Sequence, residues 1–175
     1  MKILKLLLVI GVITFFASCT EDDNTPSGGL VGTWKVTAVD YSGTSTTSLP
    51  GFPTTTATFT GTGTDMDLTI TFKENPNEYK TSGDYSINLV STISGQSYNQ
   101  VWTNQGFISD GVWERNGNEL IITVNSTGET NTSVIEEETD DKLVLSYGET
   151  KTETDALSGA VIVTEVEGTY TFEKQ

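Results

Sequence analysis

The sequence predicts an all-β domain, an antiparallel up-and-down meander that closes into a barrel of about eight to ten strands. Three observations carry the prediction. Thr is the commonest residue and, with Val, Ile, Tyr, Phe and Trp, forms a β-rich vocabulary. Short runs alternate apolar and polar residues with period two, as in Leu68, Ile70 and Phe72. Turn signals recur between those runs, among them Asn75-Pro76-Asn77, Gly95-Gln96, Asn116-Gly117 and Thr139-Asp140-Asp141. Closure is expected because it removes exposed sheet edges. A β-sandwich is the alternative that the strand count also permits.

The chain opens on a targeting segment, residues 1–18. Lys2 and Lys5 precede the apolar run 6–16, and Ala17-Ser18 supply small residues for a signal peptidase. The run is short for a transmembrane helix, which needs about 20 residues. Phe16-Ala17-Ser18-Cys19 resembles a bacterial lipobox, with Phe16 in place of the usual Leu. The resemblance implies that the Cys19 thiol takes a diacylglyceryl group and that cleavage before Cys19 frees an amine for a further, palmitate-type chain. Two or three such chains hold a protein at a membrane stably, at about 0.8 kcal/mol per buried CH₂. Residues 19–29 then read as a tether. The tract Glu21-Asp22-Asp23 resembles the acidic signal that follows the Cys of some surface lipoproteins, and Pro26-Ser27-Gly28-Gly29 reads as a flexible spacer. The expected location is the outer membrane of the cell envelope, on the cell-surface side.

The folded domain is expected over 30–175. Segment 30–41 reads as the first strand, with Trp34, Val36 and Ala38 on one face, and 42–53 as a long polar loop with Gly43, Pro50, Gly51 and Pro53. Segments 54–60 and 67–73 are strands; Gly61-Thr62-Gly63-Thr64 between them lacks the third Gly and the helix of a dinucleotide fingerprint. Segment 78–89 is a strand with Tyr85, Ile87 and Leu89 on one face and a bend at Gly83. Strands follow at 97–103, 107–114, 119–124, 132–138, 142–147 and 161–172. Segment 119–124 places Leu120, Ile122 and Val124 together, and 151–159 reads as loop or ragged extension.

In this order the chain resembles bacterial lipocalin-like domains. Gly32-Thr33-Trp34 opens the first strand, a Gly-x-Trp recurs at Gly111-Val112-Trp113, an Asn-Gly turn follows at Asn116-Gly117, and the last strand carries Tyr170 and Phe172. The resemblance implies a basic residue over the first-strand Trp, with Lys174 the match and Arg115 its rival. It also implies a non-catalytic binding module for a small apolar or amphipathic ligand, with a pocket lined by Val36, Leu68, Phe72, Ile87, Leu120, Ile122, Leu145 and Tyr170.

Composition narrows the function classes. The formal charge is −15, which disfavours nucleic acid and anionic lipid surfaces as partners. There is no His, and Cys19 is the sole Cys. That removes Ser-His and Cys-His nucleophile pairs and the commonest transition-metal ligand, so no catalytic, cofactor or metal residue is assigned. A carboxylate hydrolase would need two acids converging across a cleft from a set such as Asp110, Glu114, Glu136, Glu137 and Glu138, and no spacing selects a pair. The other reading is a surface lipoprotein that binds a protein or glycan through its exterior, with a packed interior. Trp34 and Trp113 fit a core, whereas the polar company of Trp102 marks it as the exposed aromatic.

Overall fold

The computed structural model describes residues 29–105 and 109–175. The expected signal segment 1–18, the lipidation residue Cys19 and all of the tether except Gly29 lie outside the described residues, as does the start of the strand expected at 107–114. Eleven strands form one antiparallel sheet: β1 (Gly32–Ser48), β2 (Thr55–Thr64), β3 (Thr69–Lys73), β4 (Glu78–Ser82), β5 (Tyr85–Ile93), β6 (Gln96–Gln105), β7 (Gly111–Asn116), β8 (Glu119–Val124), β9 (Thr130–Glu138), β10 (Lys142–Thr154) and β11 (Val161–Lys174). The described residues contain no helix long and apolar enough to cross a membrane.

The registers reduce eleven strands to eight staves. The second half of β1 pairs with β2 and its first half with β3, in nearly continuous register, so β2 and β3 are one interrupted stave. The pairs β4/β5 and β6/β7 are interrupted in the same way, since β3–β4 and β4–β7 continue the ladders of β2–β5 and β5–β6. The first two interruptions fall beside Asp65 and Gly83, which hold φ of 52° and 82°. The order β1-β3-β4-β7-β8-β9-β10-β11 closes on itself through the β11–β1 ladder. This is a closed eight-stranded antiparallel barrel, and the closure excludes the sandwich.

Closure holds for only one half of the molecule. β8 and β9 are short, while β10, β11, β1, β2, β5 and β6 run on beyond them. The lower half is therefore a complete barrel and the upper half an open sheet with β6 and β10 at its edges.

β1 departs from expectation in its length and in its inward face. Segment 42–48 continues β1 rather than forming a loop, because it pairs with β2 on one side and β11 on the other. Two satisfied ladders outweigh the weak strand preference of Ser and Gly. Of the two readings of 151–159, the ragged extension holds for 151–154, which lengthen β10 along β11. Within β1 the register shifts between Val36 and Ala38. This bulge turns Val39 rather than Ala38 into the core, where Val39 is buried.

The lower barrel is solid. Trp34, Val36, Val39, Leu68, Ile70, Phe72, Tyr79, Trp113, Leu120, Leu143 and Phe172 pack in one buried cluster. Both core tryptophans keep their indole N–H satisfied, Trp34 donating to the Leu30 carbonyl at 2.7 Å and Trp113 to that of Lys73 at 2.9 Å. Lys174 closes the lower end as the resemblance implied. Its Nζ stands 4.9 Å from the Trp34 ring centroid and donates to the Gly29 carbonyl at 3.1 Å. Arg115, the rival, pairs with Glu138 at 2.7 Å.

Candidate ligand cleft

The cleft arises where β9 parts from β10. The two strands pair from Glu138↔Leu143 to Val134↔Ser146, whereas residues 130–133 pair only with β8. β10 meanwhile stays on β11 up to Thr154. The gap opens a cavity of about 410 Å³ lined by Ile122, Glu129, Thr130, Asn131, Thr132, Ser133, Tyr147, Gly148, Glu149 and Tyr170. That volume lies within the usual span for small-molecule sites.

Register sets which side chains face inward. Ile122 pairs with Asn131 and Leu120 with Ser133, so Asn131 and Ser133 share the inward face of the core leucines. On β10, Leu143, Leu145, Tyr147 and Glu149 follow one another on that same face. The cleft thus has an apolar floor of Ile122 and the tyrosine rings, with amide, hydroxyl and carboxylate groups on its walls. Its lining carries Glu129 and Glu149 and no Lys or Arg.

Behind the floor lies a cluster of tyrosines at the level where the closed barrel meets the open sheet. Tyr170 and Tyr85 join their hydroxyls at 3.2 Å, with rings edge to face at 6.5 Å. Tyr147 lies 5.6 Å from Tyr170 and Phe172 6.1 Å from it. Glycine makes room for this crowd. A Cβ on Gly61 would fall 2.2 Å from the Tyr41 ring, and one on Gly168 would fall 2.7 Å from Tyr41 Cβ and 2.8 Å from the Tyr147 hydroxyl. Burial, aided by the neighbouring Tyr85, Tyr41 and Glu149, pushes the Tyr147 phenol up to about 12. Burial first, then Tyr85, raises Tyr170 further, and the same two causes raise Tyr41. These phenols therefore stay protonated near neutral pH and act as neutral hydrogen-bonding groups.

The eight expected pocket residues divide. Ile122 and Tyr170 line the cleft. Val36, Leu68, Phe72, Ile87, Leu120 and Leu145 lie in the packed core beneath it. Asn131, Ser133, Tyr147 and Glu149 also line the cleft, beyond the expected apolar positions. Tyr147 was within reach, because it continues the alternation of Leu143 and Leu145. Asn131 and Ser133 were not, since a polar residue at an inward parity looks like an outward residue in the wrong register.

Four of the five acids considered for hydrolysis have other engagements, and Glu114 is exposed. Glu136 accepts from the Ser146 hydroxyl, Glu137 pairs with Lys142 at 2.7 Å, Glu138 with Arg115, and Asp110 accepts from the Thr81 amide at 2.9 Å. Among the described residues no three acidic side chains converge as a metal site. A larger depression of about 670 Å³ crosses the outer face between the rows Asp40, Thr62, Thr169 and Ser42, Thr60, Glu167. It lies more open to solvent than the cleft between β9 and β10, so a ligand there would bury less of its surface.

Comparisons with known proteins agree with the geometry. No curated protein matches the chain, and no solved structure does. The family model of the lipocalin-like domain matches residues 30–145. That span runs from the first residue of the core into β10, and β11, which closes the ring, lies beyond it. Such barrels are in general non-catalytic folds that bind small ligands. With well over half of its length matched and a closed eight-stranded ring around a Gly-x-Trp opening, the chain belongs to the lipocalin-like domain family.

Proposed function

We propose that this protein is a lipid-anchored binding module of the cell envelope, non-catalytic, holding a small amphipathic molecule in the cleft between β9 and β10. The observation that carries the reading is the cleft itself: an apolar floor of Ile122 and Tyr170 ringed by Asn131, Ser133, Tyr147 and Glu149 above a solid barrel. The apolar end of the ligand rests on the floor and its polar end meets the walls. Glu129 and Glu149, unopposed by a lining cation, favour a neutral or cationic head over an anionic one.

Titration calorimetry with dodecanol, dodecylamine and dodecanoate tests the site. Dodecylamine is expected to bind tightest and dodecanoate weakest. Tyr147→Ala should weaken dodecylamine binding about tenfold, the equivalent of ~1.4 kcal/mol, with Thr58→Ala on the outer face as the control. Binding of none of the three, or binding indifferent to Tyr147, overturns it.

The anchor rests on Phe16-Ala17-Ser18-Cys19 and on the acidic tract after it. Cys19→Ser is expected to move the protein from the membrane fraction to the soluble one, and continued membrane partition would refute acylation. Surface display is expected to leave the chain open to protease on intact cells. A second reading, attachment of a partner through the exterior, is favoured by exposed Tyr98, Val101 and Trp102 on β6.

A further inference from the structure

We propose that β6 is a docking edge for a second copy of this chain. Two edges of the upper sheet have no strand partner among the described residues, β6 and the far half of β10. They are built differently. The β10 edge carries Glu149, Lys151 and Glu153, with the last two paired at 2.7 Å. Charges of this kind are a common guard against strand addition. β6 has no such guard: its ten residues, Gln96–Gln105, include neither a charged residue nor a proline. The whole stretch 85–109 lacks Asp, Glu, Lys and Arg, in a chain with 24 acidic and 9 basic residues.

Three large apolar or aromatic side chains stand exposed on this edge, among the uncharged Gln96, Ser97, Asn99, Gln100 and Thr103. Tyr98 is 56% exposed, Val101 61% and Trp102 42%. β5 beside it adds Val90 and Ile93, also exposed.

Charge selects the occupant. Two copies of a chain at −15 repel one another through most of their surfaces. Along β6 they meet without opposing carboxylates. The edge is also self-complementary. An antiparallel pairing about a two-fold axis at Gln100 keeps the faces in phase and sets Tyr98 across from Trp102 of the second copy, twice. Asn99 then faces Val101 on the other side of the sheet. Aromatic cross-strand pairs of this type favour association, and an isologous edge of this kind closes as a dimer and stops there.

Thiol cross-linking in cells that express the full chain tests the proposal, with Cys19 the sole native thiol. Oxidation of the Gln100→Cys chain is expected to yield a product of twice the chain mass, as residues opposed across a two-fold strand pair come within disulfide range. Thr150→Cys on the β10 edge and the unaltered chain should give none. Adding Val101→Lys, an exposed change, should cut the yield at least tenfold without lowering the melting temperature. Absence of the Gln100→Cys product, equal products from both edges, or a product whose mass is not twice the chain would overturn it.

Discussion

At the scale of single residues, one ion pair and one set of phenols bring polar groups into the interior. Glu138 is a buried acid whose side chain is fully shielded, with Arg115 at 2.7 Å as its counter-ion. Its Oε1 has no hydrogen-bond partner among the described residues. Removing the cation strands a buried charge, so Arg115→Ala is expected to cost about 3 kcal/mol. Replacing both partners at once, as in Arg115→Met with Glu138→Leu, should restore most of that loss, because two apolar side chains need no counter-ion. Urea denaturation of the two variants measures the difference.

The tyrosines set the alkaline limit. Tyr147 is raised to about 12, and Tyr41, Tyr79 and Tyr170 are raised as well, each chiefly by burial. Below the unfolded value of about 10 both states hold these protons. Above it the unfolded chain releases them first, so stability falls as pH rises through the folded values. The melting temperature is expected to drop between pH 10 and about 12, and Tyr147→Phe should flatten that drop. A profile in that variant as steep as in the native chain would show that the phenol has no part in it.

At the scale of elements, the breaks in the staves matter more than the strands. Gly83 separates β4 from β5 with φ of 82°, and a Cβ there would fall 2.0 Å from the Asp67 carbonyl oxygen. Gly83→Ala therefore adds a left-handed penalty to a backbone collision, and a loss of at least about 2 kcal/mol is expected by thermal or urea unfolding. Between β5 and β6 the two-residue turn Ser94-Gly95 holds φ of 51° and 79°, the paired positive values that suit a tight hairpin. Much of this was legible. The alternation of Leu68, Ile70 and Phe72 and of Tyr85, Ile87 and Leu89 named core faces that the structure confirms, and Gly83 read as a bend. The bulge in β1 was not legible, because nothing local distinguishes Ala38 from Val39 as the inward residue. Only the pairing of β1 with β11, which shifts between Val36 and Ala38, decides it.

At the scale of the whole molecule, the closed lower barrel and the open upper sheet are expected to differ in stability. In the lower half every stave has two neighbours around a packed core. In the upper half β6 has one neighbour among the described residues and is exposed from Gln96 to Thr103. Amide exchange should therefore be slowest in β1, β3 and the lower part of β11. It should be fastest in β6, where opening breaks few apolar contacts. Uniform protection over all eleven strands would contradict that division.

The sequence by itself determined the local features. Period-two alternation marks which residues face a core, and Gly and Asn mark the turns. These are readable because each depends on neighbours along the chain or on a single side chain's chemistry. Only the tertiary structure decided which inward residues form core and which form a cleft. That division depends on where β9 leaves β10, a matter of unequal stave lengths across the barrel. The same inequality leaves one edge of β6 without a strand partner among the described residues. Pairing between strands distant in sequence is long-range, and no local pattern records it.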